Sequence, residues 1–241
     1  MDGSSAGNSY AAGFSVVRTA SVAGDFLALG GSVVTASPVS GDEFLLAGSV
    51  NSRASVGGDF RAVGWSINIE EPIAGDLVAL GFSVRDSGIA KGNVFIVAAN
   101  VTMTNGSAGP VTIYGNNISL SGDFANNVNI VAIGRVALAA STTISGKLSY
   151  QAPEPALIPE SATIAEGIEY TNASYLPNAG TSRLLAVISI GFFLFVRILG
   201  ALILAGLLAG LFPRLAEAVA ERAYTARPSR ILLTILLGFA V

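Results

Sequence analysis

The sequence predicts an all-β fold, a parallel β-solenoid of 17-residue coils, followed by transmembrane α-helices. A glycine recurs every 17 residues through seven units, and a β-branched residue stands nine positions after each of them. Such periodicity is the sequence signature of a repeat architecture. The glycines are Gly7, Gly24, Gly41, Gly58, Gly75, Gly92 and Gly109, and the β-branched residues are Val16, Val33, Val50, Ile67, Val84, Val101 and Ile118. A 29-residue apolar run near the C-terminus predicts the helices.

The composition of the units favours strands over helices, because they are rich in Gly, Ser, Thr, Asn and Val. Short alternating stretches are separated by turn residues, so one unit can form one coil with three short sides. Parallel coils stack about 4.8 Å apart, which gives seven coils a length of roughly 34 Å. In the second unit, the residues predicted to point inward are Phe26, Ala28, Val33 and Val39, whereas Leu27 and Leu29 are predicted to point outward.

Two departures from the repeat are visible. Glu43 interrupts the third unit, and we expect it to displace Phe44 and Leu45 by one position before Ser49 restores the register. After Gly109 the period loosens, and the segments that begin at positions 121, 129, 144 and 162 are expected to be further coils with insertions.

The domain boundaries follow from these patterns. The solenoid is predicted at residues 1–150, and a frayed last coil with a Pro-containing linker is predicted at 151–183. A first transmembrane helix is expected at 184–212, an Arg-rich loop at 213–230 and the start of a truncated second membrane helix at 231–241.

The run from Leu184 to Phe212 is long enough to cross a bilayer, since about 20 apolar residues span its core of about 30 Å. Its single charged residue is Arg197. Gly206 and Gly210 form a GxxxG motif, which predicts a close-packing face for another membrane helix.

The distribution of arginines predicts the orientation in the membrane. Cytoplasmic loops carry an excess of positive charge, so we expect the loop at 213–230 in the cytoplasm and the solenoid outside it. Export of the solenoid requires a signal peptide, and residues 1–14 have neither a basic region nor an apolar core. Either the signal peptide is missing from this sequence or the orientation is reversed, and we expect the former. The loop arginines are Arg214, Arg222, Arg227 and Arg230.

The overall composition narrows the function classes. Apolar residues make up 51% of the chain and charged residues 12%, and there is no Cys and no His. Thiol nucleophiles, His proton relays and the common zinc sites are therefore excluded. The net charge of -3 argues against a nucleic-acid partner, because phosphate binding needs a clustered basic surface.

A Gly-Asp dipeptide opens four consecutive units, and we interpret it as a coil corner, since Gly and Asp are common turn residues. The alternative is a Ca²⁺ site between coils, built from the same carboxylates. Asn8, Asn93 and Pro110 replace Asp in other units, which weakens this alternative. The predicted corner residues are Gly24, Asp25, Gly41, Asp42, Gly58, Asp59, Gly75 and Asp76.

A polysaccharide-cleaving site is a second chemical alternative. Asp59, Glu70, Glu71 and Asp76 are close in sequence, and glycoside hydrolysis needs two carboxylates in a cleft. The strict period leaves no long loop to wall such a cleft. We therefore predict no catalytic residue, no metal site and no cofactor.

The residues predicted to point outward on one side of the solenoid are strongly apolar. A contiguous apolar stripe of this length usually marks an interface, so we predict an assembly face. The alternatives are that the inner and outer columns are exchanged, or that a terminal segment covers the stripe. The candidate residues are Leu27, Leu29, Val63, Trp65, Val78, Leu80, Phe82, Phe95 and Val97, and Tyr114 continues the column.

The pattern G-D-φ-x-A-φ-G-x-S-V at 17-residue spacing resembles the coils of bactofilin-type, polymer-forming cytoskeletal proteins. The segment LFPRLAEAVAERAYTARPSRILL at 211–233 is similar to the link between the first two membrane helices of the membrane-anchored subgroup. The resemblance implies a right-handed β-helix, a structural role, polymerisation through terminal coils and no cofactor. The outer face of this chain is more apolar than a generic β-helix surface.

We therefore expect a non-enzymatic structural protein that forms polymers or lateral assemblies at the cell envelope. Membrane lipid and a second copy of the chain are the expected partners. The alternative is a surface adhesion or polysaccharide-binding module that presents the outer columns to an envelope polysaccharide, and a carbohydrate-active enzyme is a third alternative.

Overall fold

The computed structural model describes residues 5–173, and these fold into an all-β parallel solenoid of about ten coils. Among these described residues there is no helix, and hence none that is long and apolar enough to cross a membrane. The chain from Met1 to Tyr175 forms one compact unit. The predicted membrane segments at 184–212 and 231–241, the loop between them, and the packing residues Gly206 and Gly210 lie outside the described residues.

The described strands are numbered along the chain. Their bounds are β1 Ser9–Arg18, β2 Phe26–Thr35, β3 Glu43–Ser52, β4 Phe60–Ile69, β5 Leu77–Asp86, β6 Val94–Met103, β7 Gly106–Ser107, β8 Val111–Leu120, β9 Asp123–Phe124, β10 Val128–Ala132, β11 Val136–Leu138, β12 Thr143–Ile144, β13 Leu148–Ala152, β14 Thr163–Ile164 and β15 Ile168–Asn172.

Two parallel sheets run along the solenoid. The main sheet has the order β1-β2-β3-β4-β5-β6-β8-β10-β13-β15, and β11 pairs with β8. The second sheet, β14-β12-β9-β7, forms the third side of the later coils. In the earlier coils this side is marked by single bridges, such as Val22 with Val39 and Val39 with Val56. Each early coil therefore consists of one long bent strand and one short third side.

Each long strand bends near its middle, so both of its halves line the same core. In β2, buried and exposed residues alternate from Phe26 to Leu29, and the alternation changes phase between Gly30 and Ser32. A Cβ on Gly30 would lie 2.6 Å from the carbonyl oxygen of Gly13, which explains the glycine at this bend. The four inner residues predicted in this coil are confirmed as buried, each at most 2% exposed: Phe26, Ala28, Val33 and Val39.

The expectation that Glu43 displaces its neighbours is wrong. Strand β3 is in register with the strands on both sides, so that Glu43 pairs with Phe26 and Phe60. The carboxyl group is fully buried in the inner column that Phe occupies in the adjacent coils. A shift by one residue would turn all the inner side chains of the strand outward. Burial of a single polar side chain is less costly than that exchange.

Hydrogen bonds partly satisfy the buried carboxyl group of Glu43. The hydroxyl of Ser52 donates to its Oε2 atom at 3.2 Å, and the hydroxyl of Thr35 donates to Ser52 at 3.3 Å. Burial raises the pKa of Glu43 to about 7, although the hydrogen bond from Thr35, the charge of Arg18 and the hydrogen bond from Ser52 act in the opposite direction.

Two further charged side chains are buried in the interior. Arg18 donates to the carbonyl groups of Ala20 and Ser37, and its guanidinium group lies 4.6 Å from the ring centre of Phe26. Asp86 accepts a hydrogen bond of 3.0 Å from the amide of Gly88. Burial raises the pKa of Asp86 to about 7, and this hydrogen bond opposes the shift only in part.

The later coils are longer, as the loosened period predicts. Val128 pairs with Leu148, and Leu148 pairs with Ile168, so that successive strands begin 20 residues apart instead of 17. The insertions lie in the turns and leave the pairing intact. The coils continue to Asn172 in β15, within the segment predicted as a frayed coil and linker.

Candidate assembly face

The Gly-Asp dipeptides lie at coil corners, and neighbouring corners are joined by hydrogen bonds. The amide of Asp42 donates to Oδ1 of Asp25 at 2.9 Å. The same contact joins Asp59 to Asp42 and Asp76 to Asp59, each at 2.8 Å. The glycine before each Asp leaves room for this carboxylate, because a Cβ at Gly41 would overlap Oδ1 of Asp25. Gly and Asp thus act together as a link between coils.

Asparagine takes part in this ladder at both ends, as the side-chain acceptor at the first corner and as the backbone donor at the last. Oδ1 of Asn8 accepts from the amide of Asp25 at 2.9 Å, and the amide of Asn93 donates to Asp76 at 2.7 Å. The ladder therefore needs a side-chain oxygen at each corner and does not need a negative charge.

Three of the four acidic residues considered for chemistry, Asp59, Glu70 and Asp76, are engaged in structural contacts. The hydrogen bond from the amide of Asp76 is the main cause that holds the pKa of Asp59 below its usual value. Glu70 accepts from the amide group of Asn68 at 2.7 Å and lies 3.4 Å from Arg53. Within residues 5–173, no three or more acidic side chains converge as a metal site would require.

We predict that Asp42→Ala lowers the free energy of unfolding by about 1–2 kcal/mol, because the amide of Asp59 loses its acceptor. The matched variant Asp42→Asn retains an oxygen, as Asn8 does, and should remain within about 0.5 kcal/mol of the wild type. Urea unfolding followed by circular dichroism measures both values. Equal destabilisation by the two variants would contradict the ladder and would favour a role for the charge.

Three outer columns cover one side of the solenoid. They consist of the second, fourth and sixth positions of the long strands, counted from the first residue of each strand. We call the large apolar residues in these columns the apolar face. They are Tyr10, Phe14, Leu27, Leu29, Phe44, Leu46, Val63, Trp65, Val78, Leu80, Phe82, Phe95, Val97, Tyr114 and Ile133, of which Ile133 directly follows β10.

The structure places the predicted candidates on this face. Eight of the nine are 37–67% exposed, and Val78 is partly buried. The sequence reasoning missed Phe44 and Leu46, because it assigned a shifted register to the coil of Glu43. It also missed Tyr10 and Phe14 in the first coil, although the same 17-residue spacing identifies them once the columns are known.

The other half of the same strands is different. From the third coil onward its outward residues are polar or charged, and the residues concerned are Asn51, Asn68, Arg85, Thr102 and Ser119. Only Val17 and Val34, in the first two coils, are apolar there. The apolar character therefore belongs to one side of the coil and not to the solenoid surface in general.

Ring contacts give the apolar face a preformed surface. Trp65 and Phe82 stack with ring centres 4.5 Å apart and an angle of 6° between their planes. Phe95 and Tyr114 pack in a tilted arrangement at 5.9 Å. Such aromatic pairs in adjacent coils restrict one another, so covering this face costs little further side-chain freedom.

Within residues 9–133, Arg61 is the one charged residue in the three columns. Its guanidinium group lies 2.6 Å from Asp59 and 3.5 Å from Asp42, and 5.1 Å from the ring centre of Phe44. These contacts hold the charge towards the row of corner carboxylates, so the middle of the face is free of net charge.

The apolar face is large and contains a depression. Aromatic side chains have areas of about 150–250 Å², and with the observed exposures the face offers on the order of 1,000 Å² of apolar surface. The largest apolar patch on a typical monomer is about 300–600 Å². A shallow depression of about 400 Å³ lies at one end, and its lining includes Val97, Ala99, Tyr114, Gly115 and Ile133.

Comparisons of the chain with protein-family models, with curated proteins and with solved structures gave no match.

Proposed function

We propose that this chain is a non-enzymatic structural protein whose β-solenoid associates with other copies through the apolar face. A stable protein interface needs about 800 Å² on each partner, and the exposed apolar face reaches that size. Its exposed aromatic residues are of the type that dominates binding energy at interfaces. The apolar face is the observation that supports this proposal.

The proposal includes a membrane anchor. On the sequence pattern, the apolar runs at 184–212 and 231–241 are the proposed anchor, and the GxxxG motif of Gly206 and Gly210 is its proposed packing face. The arginines of the intervening loop favour an orientation with the solenoid outside the cytoplasm. The resemblance of the coils to bactofilin-type proteins supports a role in polymers or lateral assemblies at the cell envelope.

Sedimentation velocity and negative-stain electron microscopy of Met1–Tyr175 test the proposal, since this segment is a compact unit with its own core. We expect dimers or larger species at micromolar concentration, and filaments or sheets at higher concentration. A monomer at every concentration, with the circular dichroism spectrum of a β-protein, would contradict it.

A polysaccharide-binding module is the second candidate function. It is favoured by Trp65, which is 67% exposed and nearly coplanar with Phe82, because such flat aromatic surfaces stack against apolar faces of ligands. A glycan-array screen with the wild type and Trp65→Ala tests it. Retention of an oligosaccharide by the wild type alone would support this candidate, and the absence of any retained glycan would eliminate it.

A further inference from the structure

We propose that the apolar face binds the same face of a second copy in a parallel two-fold dimer, in which each coil meets the identical coil of its partner. The inference rests on the proposed function and specifies the partner and the geometry. Four features of the described coils support it.

Two identical flat faces can meet about a two-fold axis in two simple ways. If the axis runs parallel to the solenoids, equal coils face each other, the middle column faces itself, and the second-position column faces the sixth-position column. If the axis runs along the strands, the two solenoids are antiparallel and each column faces itself in reverse coil order. The two arrangements make different pairs of side chains meet.

The charges at the borders of the face favour the parallel arrangement. A row of aspartates runs along the start of the strands, and a row of uncharged serines runs along the bend. The parallel dimer places each Asp row opposite a Ser row, whereas the antiparallel dimer brings two Asp rows together. Like charges across an interface oppose association. The rows are Asp25, Asp42, Asp59 and Asp76, and Ser32, Ser49, Ser66 and Ser83.

The sizes of the facing side chains are complementary in three strands of the parallel arrangement. In β1 the second and sixth positions are both large, Tyr10 and Phe14, but in three other strands a large second position meets a small sixth position on the partner. These pairs are Leu27 with Gly31 in β2, Phe44 with Gly48 in β3, and Phe95 with Ala99 in β6. A flat solenoid face needs no such relation for its own folding, whereas close packing between two faces does.

The order of sizes is reversed in β4, where the large residue is Trp65 at the sixth position. In the parallel dimer it meets Arg61 of the other copy. Because Arg61 turns towards Asp42 and Asp59, space remains for the indole ring above its guanidinium group. An arginine under the face of a tryptophan is itself a favourable contact.

The depression on the face lies where the parallel dimer requires a cavity. Ala99 lies in its lining, and the residue that meets Ala99 across the dimer is Phe95 of the other copy. The phenyl ring therefore fits the depression as a knob fits a hole. In the antiparallel arrangement, β6 meets an early coil of the partner and this match is lost.

The borders of the face also argue against a bilayer surface as the occupant. Four aspartates line one edge, and anionic headgroups attract basic rather than acidic borders. The parallel dimer places the last described coils of both copies, with Asn172, at the same end. Two chains anchored in one membrane need the C-terminal ends of their solenoids at the same end of the dimer, and the parallel arrangement provides this.

Thiol cross-linking of the full chain in isolated membranes tests the geometry, because the chain has no natural cysteine. Leu29→Cys and Val97→Cys lie in the middle column, in β2 and β6. With a short bis-maleimide, we expect each variant to give a covalent dimer with itself. Ser119→Cys, on the polar half of β8, is the matched control and should remain monomeric.

Each other outcome overturns the inference in an identifiable way. Cross-linking of Leu29→Cys to Tyr114→Cys, without self-linking of either variant, indicates the antiparallel arrangement. Association in sedimentation without a middle-column cross-link overturns the parallel two-fold geometry but leaves the self-association of the proposed function standing, and the Leu80→Asp, Phe82→Asp variant then decides whether the apolar face is the contact. No association at all removes both the inference and the proposed function.

A second variant, without an introduced cysteine, tests the contact between Phe95 of one copy and the depression beside Ala99 of the other. Ala99→Trp fills the depression from its own side, and we expect at least tenfold weaker dimerisation with an unchanged circular dichroism spectrum. Ser119→Trp, on the exposed polar half of β8, is the control for the added ring. Equal dimerisation of Ala99→Trp and the wild type would overturn the proposed contact.

Discussion

Lowering the pH from about 8 to about 5 is expected to stabilise the solenoid, the reverse of ordinary acid denaturation. In the unfolded chain, Glu43 and Asp86 lose their protons near their ordinary pKa values of 4.5 and 3.8, whereas burial raises both values to about 7 in the fold. Between these values the folded state holds protons that the unfolded state has released. The free energy of unfolding therefore falls as the pH rises from about 4.5 to about 7.

The expected change in the free energy of unfolding is large for a single residue. A pKa that moves from 4.5 to about 7 corresponds to roughly 3 kcal/mol of stability for Glu43. Asp59 acts in the other direction at lower pH, since its pKa is lowered in the fold, mainly by the hydrogen bond from the amide of Asp76. Its stabilising contribution is lost as the pH falls below about 3.8. Maximal stability is therefore expected near pH 4–5.

Urea unfolding of Met1–Tyr175 at a series of pH values measures this profile. The double variant Glu43→Gln, Asp86→Asn removes both titrating groups and should flatten the profile between pH 5 and pH 8. Asp25→Asn, which alters a corner acid outside the core, should leave the slope unchanged. A wild-type profile that rises through this range, or a double variant that keeps the wild-type slope, would show that the buried acids are not its cause.

Substitution of Leu80 and Phe82 by aspartate is expected to abolish association while leaving the fold intact. Both side chains are exposed, so the solenoid does not depend on their burial. At an interface, however, the two charges would be buried without partners, at a cost of several kcal/mol. This corresponds to a loss of affinity on the order of 100-fold or more.

Sedimentation velocity of the double variant and the wild type measures the effect, and circular dichroism verifies the fold. Thr102→Asp with Ser119→Asp places the same two charges on the polar half of the strands and should associate as the wild type does. If Leu80→Asp, Phe82→Asp associates unchanged, the apolar face has no part in the assembly.

The periodicity alone was sufficient to predict the coil. The spacing of the glycines fixes the length of the repeat, and alternation then separates Phe26 from Leu27 without knowledge of any contact. The same rule placed eight of the nine candidate residues of the apolar face at exposed positions. Period-two alternation is reliable in this protein because one face of each strand points into the core and the other points to solvent along the whole solenoid.

The prediction failed where a single residue contradicted its column. The polarity of Glu43 suggested a local shift, but register is set by all the pairs of a strand, and β3 keeps its pairing with β2 and β4. Phe44 and Leu46 were missed for the same reason. The role of the corner dipeptide was also beyond sequence reasoning, because the contact between Asp25 and Gly41 joins residues of adjacent coils through atoms whose positions only the fold determines.

The buried polar residues also distinguish the native stacking order of the coils from other orders. In a solenoid of nearly identical units, a chain that stacks the first coil on the third still buries its apolar columns, so hydrophobicity does not distinguish such a misfolded state from the native one. Arg18, Thr35, Ser52 and Glu43 meet in a contiguous group only when the first three coils stack in sequence order. This group lowers stability at neutral pH, but it also favours a single stacking order of the coils during folding.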